Sequence, residues 1–290
     1  MKYRFITFLA ITLSIAAPGN TVAQSSSGNS LLWQISGDKL KKPSYLYGTI
    51  HMLCPQDFRI SETLKQVFSA SEKIYLELDM DDPSMNMKML QLSLLKGKKL
   101  SDFFNEKDYA RLNDFFRDSI GMPLALFSSL KPFALLSLIY MKSMPCGQQE
   151  SYELNFANMS KAEHKEMLGL ETIEDQIGVF DQMPDSMQAK MIMESINQFG
   201  QQQNESLKMV EFYKNQQLDS LYRMIVESPD ISGSEDALIF NRNRKWIPVM
   251  EDSMNKGSIF FAVGAGHLAG PGGLISLLRQ KGYELKPIVQ

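Results

Sequence analysis

The chain has 290 residues, 44% hydrophobic and 22% charged, with a net charge of −3 from 30 Lys+Arg against 33 Asp+Glu. This profile is that of an ordinary globular protein and excludes collagen-like, coiled-coil and disordered chains. It offers no cationic surplus for nucleic-acid phosphates, and two cysteines exclude Cys-rich zinc modules.

Residues 1–23 read as a secretory signal. Lys2 and Arg4 precede the apolar run Phe5–Ala17, and Thr21-Val22-Ala23 supplies the cleavage site. That run is too short to span a bilayer, and no later run is long enough. Residues 24–30 form a Ser/Gly-rich leader, and residues 31–290 are expected to form a single domain with no C-terminal anchor. The protein is therefore expected in a periplasm or outside the cell. Two cysteines in an oxidising compartment pair, which predicts a Cys54–Cys146 disulfide. Closing a loop of that length stabilises a fold by about 4–5 kcal/mol in the chain-entropy account.

Two strands are predicted over Leu31–Ile35 and Ser44–His51, followed by a helix over Ser61–Ala70 capped by Ser61. Lys73–Asp79 (KIYLELD) reads as an apolar strand ending in carboxylates. Met85–Leu95 is helical, and the methionines of Met80–Met89 are expected to fill core, an adaptable apolar groove being the alternative. A helical block spans about 101–226, with helices at Glu106–Asp118, Pro132–Met144, Ser151–Lys161, Ile173–Met183 and Ser186–Phe199 and two shorter ones after them. Within it Lys165–Leu170 reads as a short strand running into Glu171. A long helix over Ser234–Asn255, a strand over Ser258–Val263, a helix over Gly272–Lys281 and a strand over Tyr283–Val289 complete the chain. Strands from both ends are expected to share one central sheet with the helical block inserted, an α/β (α+β) architecture.

Two of the three histidines sit in the same pattern, Gly48-Thr-Ile-His51 and Gly264-Ala-Gly-His267, each at the end of an apolar strand. Glycine there permits a sharp turn or a ligand's approach to the backbone, which makes Gly48, Gly264 and Gly266 candidate substrate contacts. The histidines then face the crevice beyond the strand ends, where α/β proteins bind ligands. Alternation puts Glu77 and Asp79 on one face of their strand, and Glu171 closes another. Two imidazoles with carboxylates suit Zn, Mn or Co, or equally a metal-free base with its orienting acid. Arg242 could hold a substrate carboxylate or a developing oxyanion, or form an ion pair on the helix surface. His164 reads as a solvated helix residue. No His-Glu-x-x-His, Gly-x-Ser-x-Gly or phosphate-loop spacing is present.

The ordered set Tyr47-Gly-Thr-Ile-His51, Glu77-Leu-Asp79, Gly169-Leu-Glu171-Thr, Arg242-Asn243, Val263-Gly-Ala-Gly-His267-Leu and Gly282-Tyr283 resembles the TraB/GumN family, which is related to the animal Tiki proteins. The resemblance extends from Leu31 to Val289. It implies a fold similar to the erythromycin-esterase and ChaN-like group, and a metal-dependent protease acting outside the cell on a peptide or protein. His51, His267 and Glu77 are then the essential residues, with Arg242 and Asn243 in the same site and Glu171 or Asp79 as spare base or fourth ligand. The esterase relatives imply a metal-free hydrolase as the alternative, and the ChaN-like relatives a haem-binding protein; a non-enzymatic envelope protein that binds haem, a metal or a partner through the same histidines is the third reading.

Overall fold

A computed structural model describes residues 29–228, 231 and 233–290. The expected signal sequence lies outside the described residues, as does the leader up to Gly28. The chain opens with Leu32–Ser36 (β1) and Ser44–Thr49 (β2), then Glu62–Ala70 (α1), Lys73–Leu76 (β3) and Met85–Leu92 (α2). Glu106–Phe115 (α3), Pro132–Ser143 (α4) and Tyr152–Ala162 (α5) lead to Glu166–Gly169 (β4). Ile173–Asp181 (α6), Asp185–Asn197 (α7), Phe199–Lys214 (α8) and Leu218–Val226 (α9) follow, then Asn241–Met254 (α10), Ile259–Gly264 (β5), Leu274–Gln280 (α11) and Glu284–Ile288 (β6).

The six strands form one mixed sheet in the order β4-β3-β5-β2-β1-β6. The first four are mutually parallel; β1 runs antiparallel to β2, and β6 antiparallel to β1. Strands from both ends of the chain thus meet in one sheet, as the sequence predicts. β5 sits inside the parallel set, and its Ile259–Val263 run is buried throughout, because helices cover both faces. Pro287 lies in β6, the edge strand, where its missing N–H costs no ladder bond.

Local signals account for the helix starts. Ser61 Oγ accepts from Leu64 N, and Leu64 and Phe68, one turn apart, bury the inner face of α1. Thr172 and Asp175 form a capping box at α6. Three predicted details differ. The β3 ladder stops at Leu76, three residues early, because the chain turns there to enter the site. The segment after α7 is a 16-residue helix, α8, rather than a short one. His164 lies just past the end of α5 with a left-handed φ of 53°, not on the helix.

The hydrophobic interior has two main parts. One packs both faces of the sheet and contains Trp33, Phe68, Phe156, Phe260, Phe261 and Trp246. The other belongs to the inserted helices and is built from Leu112, Phe116, Leu135, Ile139, Ile192 and Ile196. The Cys54–Cys146 disulfide is present and joins the loop after β2 to the loop before α5. Two backbone hydrogen bonds between Leu53 and Glu150 reinforce that junction.

Candidate functional site

Four neighbouring parallel strands end on the same edge of the sheet, and each delivers one ionisable residue just beyond its end. His51 follows β2, Glu77 follows β3, Glu171 follows β4 and His267 follows β5. These strands are adjacent, so residues up to 216 positions apart in sequence become neighbours. Gly264 marks the meeting point. A Cβ there would stand 3.3 Å from Glu77 Oε1, 3.6 Å from His51 Nε2 and 3.7 Å from His267 Cδ2. The Gly264 N–H donates to Glu77 Oε1 at 2.8 Å.

His267 is held from behind. Asn243 donates from Nδ2 to the carbonyls of His267 (3.1 Å) and Gly272 (2.8 Å), which turns its Oδ1 towards the ring. His267 Nδ1 lies 2.7 Å from that oxygen, so Nδ1 carries the proton and Nε2 presents a lone pair to the site. Trp246 packs against the ring with centroids 4.6 Å apart. Burial pushes His267 down to about 3, against the opposing pull of Glu77 and with the Arg242 and His51 charges assisting.

His51 is held differently. Its Nδ1 is 3.0 Å from Glu153 Oε1, and the same carboxylate accepts from Thr49 Oγ1 (2.7 Å) and Ser151 Oγ (2.8 Å). Burial opposes the charge on His51, but the Glu153 hydrogen bond and the Glu153 and Glu77 charges outweigh it and raise the ring to about 9. Burial would raise Glu153; the bonds and charge of His51 and the two hydroxyls hold it at about 2. Tyr213 Oη donates to the Gly48 carbonyl at 2.9 Å and fixes the start of this loop.

Arg242 joins the carboxylates. A π-helical turn, Asp236–Phe240, immediately precedes α10, and Arg242 Nη1 donates back to Leu238 O within it. The same Nη1 lies 3.2 Å from His267 Nε2, Nη2 binds Glu77 Oε2 and Glu171 Oε1, and Nε binds Glu171. These contacts engage all three guanidinium nitrogens in a buried ion-pair network. Glu171 also accepts from Trp246 Nε1 and Gln176 Nε2. Burial would raise Glu77, but the His267, Arg242 and His51 charges and the Gly264 N–H hold it at about 2, so it is ionised. The cluster forms the polar end of a cavity of about 570 Å³ whose other walls are largely apolar.

Residues 31–287 match the TraB/PrgY/gumN family. The chain belongs to the TraB/PrgY/gumN family. Among curated relatives, metalloprotease TIKI2 of Danio rerio is 25% identical, the match covering 90% of this chain and 62% of that protein. Metalloprotease TIKI1 of Danio rerio is 24% identical, covering 92% and 64%. Metalloprotease TIKI1 of Homo sapiens is 37% identical over 92 residues, or 31% of this chain. The chain thus spans less than two thirds of the length of the Danio rerio relatives. No solved structure matches. Relatives named as metalloproteases support a hydrolase at family level.

In this family member, the donor chemistry suits a divalent ion. Each histidine has an oxygen partner at Nδ1, which directs Nε2 to the site, and Glu77 is ionised beside them; His51, raised to about 9, would have to release its Nε2 proton to bind an ion. As they stand, however, no three or more His, Cys, Asp or Glu side chains among the described residues form a metal-holding group. Arg242 lies against both His267 Nε2 and Glu77. The other sequence candidates take varied places. Asn243 is fully buried and holds His267. Gly48 is packed under Leu268 and Ala265, Gly266 against Ile225, and only Gly264 faces the centre. Asp79 lies in the turn after β3, outside the cavity lining, because the strand ends before alternation can carry it to the Glu77 face; burial and neighbouring Asp81 raise it to about 6. Met87 and Met89 do not fill core: α2 has no buried residue, and Met89 lines the cavity instead. Sequence reasoning missed Glu153. An acid in the first turn of a helix reads as dipole compensation, and only the fold brings it to His51.

Proposed function

We propose that this chain is an exported hydrolase that cleaves peptide bonds at the His51–Glu77–His267 centre. The observation that carries this reading is the convergence of His51 Nε2, Glu77 Oε1 and the His267 ring on Gly264 at the polar end of an apolar cavity. His51, Glu77 and His267 would hold a divalent ion, with Zn, Mn and Co the candidates by ligand type. Such an ion lowers the pKa of a bound water and polarises a carbonyl. The protein's own part is orientation. Glu153 fixes the His51 ring, Asn243 fixes the tautomer of His267, and Arg242 keeps Glu77 ionised and in place. Arg242 acts here as a positioning residue, because its nitrogens are already engaged. Export is supported by the Cys54–Cys146 disulfide. Among the described residues no helix is long and apolar enough to cross a membrane.

One observation favours a second reading. The Arg242 Nη1 contact at His267 Nε2 leaves the histidines apart from any ready coordination cluster, which suits metal-free hydrolysis with His51 and Glu77 handling the proton. One experiment separates the two. The full chain and the His51→Ala/His267→Ala double variant are exchanged against Zn, Mn and Co, analysed for bound metal and assayed on a peptide library with and without chelator. Stoichiometric metal and chelator-sensitive cleavage in the wild type alone are expected. Chelator-insensitive cleavage that still needs His51 selects the metal-free route. Full activity in the double variant overturns both.

A further inference from the structure

We infer that the apolar cavity is the side-chain subsite of this hydrolase and takes a large uncharged aliphatic or aromatic residue next to the bond that is cut. This rests on the hydrolase reading above and adds the substrate class to it. The cavity, at about 570 Å³, falls in the size range of small-ligand pockets. Its acidic and basic lining residues among the described residues are His51, Glu77, Arg242 and His267, and all four belong to the reacting end; Tyr140, whose pKa burial raises, keeps its proton. Those four are bonded to one another or to Glu153, Glu171 and Asn243. Among the described residues no lysine or aspartate lines the cavity, and Glu77 is the one glutamate that does.

The wall facing this centre comes from the inserted helices and the approach to α10. Phe133 and Leu136 of α4, Ile177 and Phe180 of α6, Ile225 of α9 and Ile239 supply most of its surface. Of the polar groups among them, Ser137 Oγ donates to Phe133 O, Gln176 Nε2 donates to Glu77 and Glu171, and the Tyr140 hydroxyl is uncharged. A Lys, Arg, Asp or Glu side chain entering here would lose its water and meet no opposite charge on this wall. A Leu, Met or Phe side chain gains burial with no such loss. The mouth continues the same chemistry. Met89 lines it, while Met87 and Leu90 on the same helix are 59% and 55% exposed. Methionine adapts its shape, so this entrance suits a range of apolar side chains rather than one.

The test reads binding separately from cleavage. The full chain is labelled with ¹³C at its methionine methyls, which makes Met89 and Met191 reporters inside the cavity. It is titrated with acetyl-Ala-Xaa-Ala-amide peptides, Xaa being Leu, Phe, Gly, Asp or Lys, and the matching fluorogenic pentapeptides are assayed for kcat/KM. We expect the Leu and Phe peptides alone to shift both methyls, with kcat/KM at least about tenfold above Asp and Lys. Ser137→Asp, which sets a carboxylate on the exposed rim of the wall, is expected to remove that preference. Asp or Lys peptides that shift the methyls as strongly as Leu overturn the inference, as does cleavage without apolar preference while the hydrolase reading stands. Methyl shifts caused by octanoyl-glycine but not by the Leu or Phe peptides also overturn it. Apolar-selective shifts with no peptide cleaved uphold the subsite and overturn the hydrolase reading. Should Ser137→Asp fail to fold, the wild-type series alone decides.

Discussion

His51 and His267 share one local sequence, Gly-x-x-His beyond an apolar strand, yet occupy opposite environments. The His51 side chain is 63% exposed and its Nδ1 faces a carboxylate; that of His267 is 8% exposed and its Nδ1 faces an amide oxygen. Burial decides against charge on His267, whereas His51 has a counter-ion bonded directly to it. The first ring is raised to about 9 and the second lowered to about 3. The motif therefore delivers an imidazole to the crevice, and the partner at Nδ1 decides its charge. The anchoring differs too. His267 hangs from β5 and α10 in the sheet core, whereas His51 sits on a loop tied by Cys54–Cys146 and the Leu53–Glu150 bridge to the segment that carries Glu153.

The largest effect that tests this contrast comes from the disulfide. Replacing Cys54 and Cys146 by Ala releases a loop with a sequence separation of 92 and should cost about 4–5 kcal/mol of stability in a urea melt. Local damage should be one-sided. By NMR titration the His51 pKa should fall from about 9 towards 6.5, with His267 unmoved. Equal changes at both rings would break the claim that the loop tie serves His51. Next in size is the pair of alanine variants. His267→Ala leaves Asn243 Oδ1 without its ring partner in the core and should cost about 2–3 kcal/mol. His51→Ala, at an exposed position, should stay within about 0.5 kcal/mol of wild type. Both should lose at least about 10²-fold in peptide cleavage. A His51→Ala variant as unstable as His267→Ala would place the two rings on the same footing.

Much of the frame was legible in the sequence because its signals are local. KIYL, SIFFAV and the Gly-x-x-His pairs are continuous stretches, and parallel strands place their ends together by topology. The disulfide followed from compartment and count. What escaped depends on contacts distant in sequence. Glu153 meets His51 across 102 residues, and nothing near Glu153 distinguishes it from a helix-capping acid. Arg242 could be placed in the site, but not its enclosure by Glu77, Glu171 and His267, which the π turn at Asp236–Phe240 arranges. Periodicity failed at Asp79 because alternation was carried past the true end of β3. Of the methionines expected to fill core, Met80 and Met85 pack against it, while Met87 and Met89 lie on the face of α2 turned away from α6 or towards the cavity.

The smallest effect sharpens the comparison most. Glu153→Gln keeps the shape of the His51 partner and removes its charge. In the wild type the His51 pKa is raised from 6.5 to about 9, so the stability this pair contributes is complete below about 6.5 and is lost as pH rises through 9. Glu153, depressed from 4.5 to about 2, contributes above 4.5 and loses its share as pH falls through 2. His267 has the opposite slope from His51. Its pKa is lowered from 6.5 to about 3, so its contribution is present above 6.5 and declines as pH falls towards 3. Glu153→Gln should therefore flatten the alkaline limb of a stability–pH profile between about 6.5 and 9 and remove Glu153's own share between about 4.5 and 2, leaving the His267 slope between about 6.5 and 4.5 unchanged. Because His51 is exposed, the loss near neutral pH should be under about 1 kcal/mol. The His51 ¹³Cε1 titration should move down towards 6.5, while His267 stays neutral at every pH well above 3. A variant whose slope between about 6.5 and 4.5, the His267 share, changes as much as its alkaline limb would mean that the two rings are coupled through Glu77 more strongly than their separate Nδ1 partners allow.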